Sequence, residues 1–242
     1  TFDGHRSGDM GVYVYKTTDL GQSWTSVATP EIEGFAHVIR EDNESDQLLF
    51  LGTESGLFVS LDGGLSWNHF TNGIPRTSVR ALALQERESD LIVATHGRGL
   101  FILDQVELLR QINRDITGET LHFFATPPAI LGVNRSRSWF GGAGGFSGEN
   151  PSQIATIAYY MKKRHVFGRM RLEVFDEEGR LIKELPCGKS AGVNVVELPI
   201  RLPSPKAAPT NNRMALFGSL STPTLTDGVY RIRISKGRDT FQ

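Results

Sequence analysis

Short runs in which apolar and polar residues alternate, each closed by Gly, Asn or Asp, fill the first hundred positions of this 242-residue chain. Ala36–Arg40, Gln47–Gly52, Gly56–Ser60 and Ser66–Phe70 predict four consecutive short strands. Val79–Gln85, Leu91–Thr95 and Gly99–Leu103 predict three more in the same order. The runs are copies of one unit. Gly56-Leu57-Phe58-Val59-Ser60-Leu61-Asp62 returns as Gly99-Leu100-Phe101-Ile102-Leu103-Asp104, one residue shorter. It also occurs upstream as Gly11-Val12-Tyr13-Val14-Tyr15, and Glu44-Ser45-Asp46 returns as Glu88-Ser89-Asp90. After Asp104 the pattern changes. Val106-Glu107-Leu108-Leu109-Arg110-Gln111-Ile112 predicts a short helix leaving the repeat.

The sharpest copy is an eight-residue turn that occurs twice, 43 positions apart. Thr17-Thr18-Asp19-Leu20-Gly21-Gln22-Ser23-Trp24 and Ser60-Leu61-Asp62-Gly63-Gly64-Leu65-Ser66-Trp67 both fit Ser/Thr-x-Asp-x-Gly-x-Ser-Trp. Each part has a physical task. The Asp side chain bonds the backbone that follows it, and Gly supplies the positive φ that a tight turn needs. Trp then opens the next strand and packs a large apolar face beneath the turn. Self-similarity at roughly 40–50 residues marks β-propeller blades. The motif resembles the Asp-box of BNR-repeat, sialidase-like and sortilin (VPS10)-like propellers. Thr17, Asp19, Gly21, Trp24, Ser60, Asp62, Gly64 and Trp67 are therefore expected to be structural, with both Trp side chains buried.

One partial, one full and one three-stranded blade make an arc of about two and a half blades. Propellers close with about four to eight. Thr1-Phe2-Asp3-Gly4-His5 aligns with the second strand of a unit, so the reading expects a segment of a longer polypeptide. The remaining blades are then its partners, from the same polypeptide or another protein chain. The outer faces of strands carrying Val12, Val14, Leu49, Leu51, Ile92 and Phe101 are expected to be open.

Beyond the repeat, Leu121–Ala125, Ile154–Lys162, Met170–Asp176, Leu181–Leu185, Val193–Pro199 and Val229–Ile234 alternate as strands, with a hairpin turn at Glu177-Glu178-Gly179. Trp139–Gly148 reads as a Gly-rich loop and Leu202–Thr226 as a long Pro/Ser/Thr-rich one. Such a series over about 100 residues favours an immunoglobulin- or fibronectin-like sandwich. The expected fold is all-β: a partial propeller over residues 1–105, a linker with a short helix over 106–118, and a β-sandwich over 119–242.

In order of parts the chain is similar to bacterial sortilin-like, BNR-repeat propeller proteins with an appended immunoglobulin-like domain. Tyr15-Lys16-Thr17-Thr18-Asp19, Val38-Ile39-Arg40-Glu41-Asp42 and Ala94-Thr95-His96-Gly97-Arg98-Gly99 carry this resemblance best. It implies an extracytoplasmic setting: periplasmic, cell-surface or secreted. It implies a module for protein binding or assembly, with a glycoside hydrolase or a glycan-binding module as alternatives.

Composition adds an asymmetry. Near-neutral overall, the chain holds 9 Lys/Arg against 17 Asp/Glu in residues 1–115, and 17 against 10 in residues 116–242. An acidic arc and a basic sandwich favour docking between them or different partners. Nucleic acid is not an expected partner, because Lys162-Lys163-Arg164, Arg169 and Arg171 accompany no base-stacking motif. No apolar run is long enough to span a membrane, and Cys187 stands alone, so no intrachain disulfide forms.

Residue types suited to catalysis occur without a catalytic spacing. A sialidase uses an arginine cluster, but Arg40, Arg76, Arg80 and Arg98 follow no marking interval. A retaining or inverting glycosidase uses two carboxylates about 5–10 Å apart. Asp42, Glu44, Glu54 and Asp104 qualify by type alone and read as solvated turn residues. His96 and Arg98, on a Gly-bracketed turn, are the most site-like pair, fitting either an anionic ligand or a tie between blades. The six histidines show no metal-ligand spacing. Gly141–Gly148 lacks a phosphate-binding pattern, so neither cofactor nor metal is expected. Asn43-Glu44-Ser45 and Asn134-Arg135-Ser136 are formal glycosylation sequons.

Overall fold

The computed structural model describes residues 1–130, 154–201 and 224–242. The Gly-rich stretch Trp139–Gly148, the sequon at Asn134 and most of Leu202–Thr226 lie outside the described residues. The chain divides into two compact units, Thr1–Arg114 and Asp115–Gln242. Both are built from antiparallel sheets, so the fold is all-β.

In the first unit, β1 (Tyr15–Lys16) pairs with β2 (Thr25–Ser26). A four-stranded sheet follows in sequence order, β3 (Ala36–Glu41), β4 (Leu49–Thr53), β5 (Leu57–Ser60) and β6 (Asn68–Phe70). A three-stranded sheet follows in the same way, β7 (Val79–Gln85), β8 (Asp90–Thr95) and β9 (Leu100–Leu103). These are successive blades of a propeller arc. Strand alternation sends Leu49, Leu51 and Phe58 to one face, where they meet Val14, Ile32 and Trp67. Phe50, Leu57 and Val59 go to the other, where they meet Val79, Leu91 and Val93 of the third sheet. The middle sheet is thus buried on both faces.

Contact between the second and third sheets is close enough to dictate a glycine. A Cβ on Gly52 would lie 2.7 Å from Val79 Cγ1 and 2.8 Å from the Val79 carbonyl oxygen. At the matching point of the third sheet, where Leu51 corresponds to Val93, the next residue is Ala94 and a methyl group is accommodated.

Three elements differ from the sequence expectation. The opening residues form no strand. A single bridge joins Phe2 to Tyr13, and His5–Ser7 is a 3-10 turn in which Asp3 accepts from the His5 backbone at 2.9 Å. The helix α1 (Glu107–Gln111) does not leave the repeat, because Val106 and Leu109 join the apolar cluster between the second and third sheets. A final short strand, β16 (Asp239–Phe241), was not apparent in the alternation.

The second unit begins with α2 (Arg114–Gly118) at its boundary and continues as a sandwich. One sheet has the order β10 (Leu121–Phe123), β11 (Ile154–Met161), β14 (Gly192–Pro199). The other has the order β13 (Leu181–Leu185), β12 (Met170–Phe175), β15 (Arg231–Lys236), β16. Ile157, Tyr159, Met161, Val196 and Leu198 from the first sheet pack on Leu172, Val174, Leu185 and Ile234 from the second. This two-sheet core is what strict alternation in β12 and β14 predicts. Buried Tyr159 still finds a partner, donating to the Gly188 carbonyl at 2.6 Å.

Candidate functional site

The two repeated turns are superimposable in chemistry. In the first, Asp19 Oδ1 accepts from the Ser23 backbone at 2.9 Å and Oδ2 from the Ser23 hydroxyl at 2.6 Å. Thr17 donates to Asp19 at 2.8 Å and accepts from the Gly21 backbone at 2.9 Å. Asp62, Ser66, Ser60 and Gly64 repeat these four bonds at the same distances. Bonds from Ser23 and Thr17 hold the Asp19 carboxyl down at about 2. Burial pushes Asp62 up, but bonds from Ser66 and Ser60 outweigh it and leave the group below its ordinary value. Gly21 and Gly64 sit at φ of 89° and 95°, where a side chain is strained.

The two Trp residues do not match. Trp67 is 2 % exposed and donates from Nε1 to the carbonyl of Val27, the residue after β2, at 2.9 Å. Trp24 is 60 % exposed, which corrects the expectation that both are buried. No carbonyl among the described residues takes the place of Val27 for it. Trp24 instead lines an open groove of about 600 Å³ with Tyr15, Lys16, Thr17, Ile39, Arg40 and Glu41. Two exposed aromatic rings beside exposed Arg40 and Glu41 give this groove both stacking faces and hydrogen-bonding groups.

At one rim, the starts of β3 and β7 and the β4–β5 turn bring together His37, Glu54, Ser78 and Arg80. Glu54 Oε2 lies 2.9 Å from His37 Nε2 and accepts from the Ser78 hydroxyl at 2.9 Å and from Arg80 at 3.3 Å. The His37 bond lowers the Glu54 carboxyl first, with Ser78 and Arg80 adding to it against burial. Ser78 Oγ is also 3.3 Å from His37 Nε2, and Asp3 is 3.7 Å from His37 Nδ1. The residue types are those of a nucleophile, a base and an orienting carboxylate. Their wiring is different, because the serine hydroxyl and His37 Nε2 both face Glu54. The group ties two blades together.

Other ties follow the repeat. Arg76 bonds Glu33 at 2.9 Å and Asn43 bonds Glu86 at 3.2 Å, each pair 43 positions apart. Arg80 and His37 are separated by the same interval. Equivalent positions in consecutive blades therefore meet, a signal that the period alone contained and that residue-by-residue inspection of acids and arginines missed.

Asp42 is not a solvated turn carboxylate. Its side chain is fully buried and takes a bidentate pair from Arg110 of α1, at 2.8 and 2.9 Å. Backbone N–H groups of Glu44 and Ser45 complete its bonding at 3.0 Å. Glu44 meets the same guanidinium at 2.7 Å. His96 and Arg98 are exposed on the β8–β9 turn. The His96 backbone donates to the Ser78 carbonyl at 2.8 Å. Neither side chain has a hydrogen-bond partner among the described residues, so neither ties the described blades to one another.

Of the strands expected to have an open outer face, β9, which carries Phe101, is the one with an open face. Val14, Leu49 and Leu51 are buried, and Ile92 and Phe101 partly so. What is open is the outer face of β9. Leu57 and Val59 of β5 are 0 and 5 % exposed, whereas their repeat equivalents Leu100 and Ile102 are 71 and 63 % exposed. The third sheet covers the former, and no described sheet covers the latter. Among the described residues, β9 also lacks the outer partner that β6 gives to β5.

A scan against protein-family models finds no match, and no curated protein sequence matches the chain. One solved structure is similar in shape: PorZ of Porphyromonas gingivalis, described as an essential bacterial surface component of the type-IX secretion system. The likeness covers 95 % of this chain and 24 % of that one, at 12 % identity and a TM-score of 0.29. This chain thus spans about a quarter of the length of PorZ.

Proposed function

We propose that the first unit is a non-enzymatic assembly module whose third blade packs against a further blade of the same repeat. The observation that carries this is the contrast between Leu57 and Val59, which are buried, and Leu100 and Ile102, which are not. The same register positions serve as an interface between the second and third sheets. Exposed apolar patches of this kind mark interaction surfaces. The extracytoplasmic setting rests on the resemblance to Asp-box, sortilin-like propellers alone. In support of a binding role, two of the four acids raised as catalytic candidates have structural work: Asp42 holds Arg110, and Glu54 holds His37, Ser78 and Arg80.

The test is sedimentation of the chain beside a Leu100→Lys/Ile102→Lys variant. The parent is expected to self-associate with concentration through this face, and the variant to stay monomeric. A parent that remains monomeric at high concentration, or a variant that associates equally well, overturns the reading. Incubation with sialosides and β-glucans is expected to give no turnover. Turnover that vanishes on replacing one carboxylate of this chain favours the hydrolase instead.

A second reading draws on the Trp24 groove. Its volume falls in the range of small-ligand sites, and Tyr15 and Trp24 offer faces for a glycan. Titration with neutral oligosaccharides, followed by tryptophan fluorescence and lost in Trp24→Ala, is the outcome that supports it.

A further inference from the structure

Strand register in the sandwich unit places one set of connections at a single end. Met161 pairs with Leu121 and Gly192, Leu185 with Leu172, and Lys236 with Met170. The β11–β12 loop, the β13–β14 loop and the β15–β16 turn therefore share that end. They are bonded to one another or to the chain beside them. The His165 backbone donates to the Lys189 carbonyl at 2.9 Å, the Gly237 backbone to the Arg169 carbonyl at 3.4 Å, and the Lys162 backbone to the Thr120 carbonyl at 3.3 Å.

The chemistry of this end is one-sided. Its longest loop, Lys162–Arg169, carries Lys162, Lys163, Arg164 and Arg169, and the neighbouring connections add Lys189, Lys236 and Arg238. Glu119, which faces His122, Glu184, which pairs with Arg171, and Asp239 are carboxylates of the same end. Lys163, Arg164, Arg169 and Lys189 form no ion pair among the described residues. The opposite end is mixed, with Asp176, Glu177 and Glu178 around the β12–β13 turn, Arg180 pairing with Asp176 and Glu178, and Asp227 close to Glu177 through the Val229 backbone. In the middle of the basic loop stand two apolar side chains, Val166 at 63 % and Phe167 at 87 % exposure. Gly168, at a φ of 92°, turns the chain directly after them.

We infer that this end of the sandwich is a peripheral docking surface for an anionic phospholipid bilayer. A basic ring is attracted to phosphate headgroups, and Val166 and Phe167 reach the acyl boundary below them. Each cation near such a surface strengthens binding by about fivefold. Apolar side chains ringed by cations suit that boundary, where one layer is charged and the next is not. A nucleic acid satisfies the cations and one aromatic ring but offers nothing to Val166. No helix among the described residues is long and apolar enough to cross a membrane, so the contact is with the surface.

The experiment uses the whole chain and sedimentation with vesicles. Binding is expected to phosphatidylcholine vesicles containing phosphatidylglycerol and not to phosphatidylcholine alone, and to weaken with added salt. Lys163→Glu/Arg164→Glu is expected to lower affinity at least tenfold. Val166→Ser/Phe167→Ser is expected to lower it severalfold while leaving the salt dependence intact. Phe167→Trp gives a direct reading, since its emission moves to the blue on vesicles if the loop enters the boundary. All these positions are exposed, and an unchanged thermal melt separates loss of binding from loss of fold. Failure to bind the anionic vesicles overturns the inference. So does equal binding by the Val166/Phe167 variant, or binding to a single-stranded oligonucleotide that vesicles do not displace.

Discussion

Arg110→Ala is expected to be the most damaging exposed-looking change in the first unit. Arg110 belongs to a five-residue helix after the last repeat strand, yet it closes the β3–β4 turn of the middle blade through Asp42. Removing it deletes two charge-assisted bonds at 2.8 and 2.9 Å and leaves a fully buried carboxylate. Breaking a buried pair on one side costs about 3–5 kcal/mol. Asp42 retains its two backbone donors, and part of the Arg110 stem is open to water, so the lower end of that range applies. About 3 kcal/mol in a unit of this size lowers the melting temperature by about 12 °C. Guanidinium titration followed by tryptophan fluorescence, with Trp67 as the buried reporter, measures it. Arg110→Lys keeps the charge without the planar fork and is expected to recover less than half. Glu44→Gln should change stability by under about 0.5 kcal/mol, because Glu44 is largely exposed. A loss below about 1 kcal/mol for Arg110→Ala would refute the argument that this pair fastens the helix to the arc.

Asp62→Ala removes acceptors from two Ser66 groups and the Ser60 hydroxyl, and should cost about 1–3 kcal/mol in the same assay. Gly52→Ala forces a methyl group against Val79 and its backbone carbonyl and should cost about 1–3 kcal/mol, while Ala94→Gly at the matching position has a much smaller effect. The pH profile of unfolding should have two arms. Asp3, Asp9, Asp19, Glu54 and Asp62 are lowered in the fold, so their contribution is present above the unfolded value and lost as pH falls toward about 2. Glu107 and Asp90 are raised, first by burial and then by neighbouring acids, so their cost at neutral pH disappears on mild acidification. Glu107→Gln should therefore raise stability at neutral pH and flatten that arm. A Glu107→Gln variant no more stable than the parent at neutral pH would contradict this.

The two Ser/Thr-x-Asp-x-Gly-x-Ser-Trp turns were legible because their bonds run from Thr17 or Ser60 to residues at most six positions on. Local hydrogen bonding and a positive φ are properties of a short peptide, and sequence states them directly. The same holds for strand positions in β12 and β14, whose alternation is set by the pleat. The 43-residue period likewise fixed which positions are equivalent.

Which side of each blade is covered was decided by tertiary structure. Leu57 and Leu100, or Trp67 and Trp24, carry the same local code and differ only in what lies against them. No property of either residue encodes that. Asp42 looked like a loop acid because its partner, Arg110, is 68 positions away on a helix that sequence sent outward. Burial of a charge depends on a partner brought by the fold. The basic end of the sandwich was visible as a local run at Lys162-Lys163-Arg164. Only strand register gathered Arg169, Lys189, Lys236 and Arg238 at the same end as Phe167, because antiparallel pairing converts separations along the chain into neighbours at one end of a sheet.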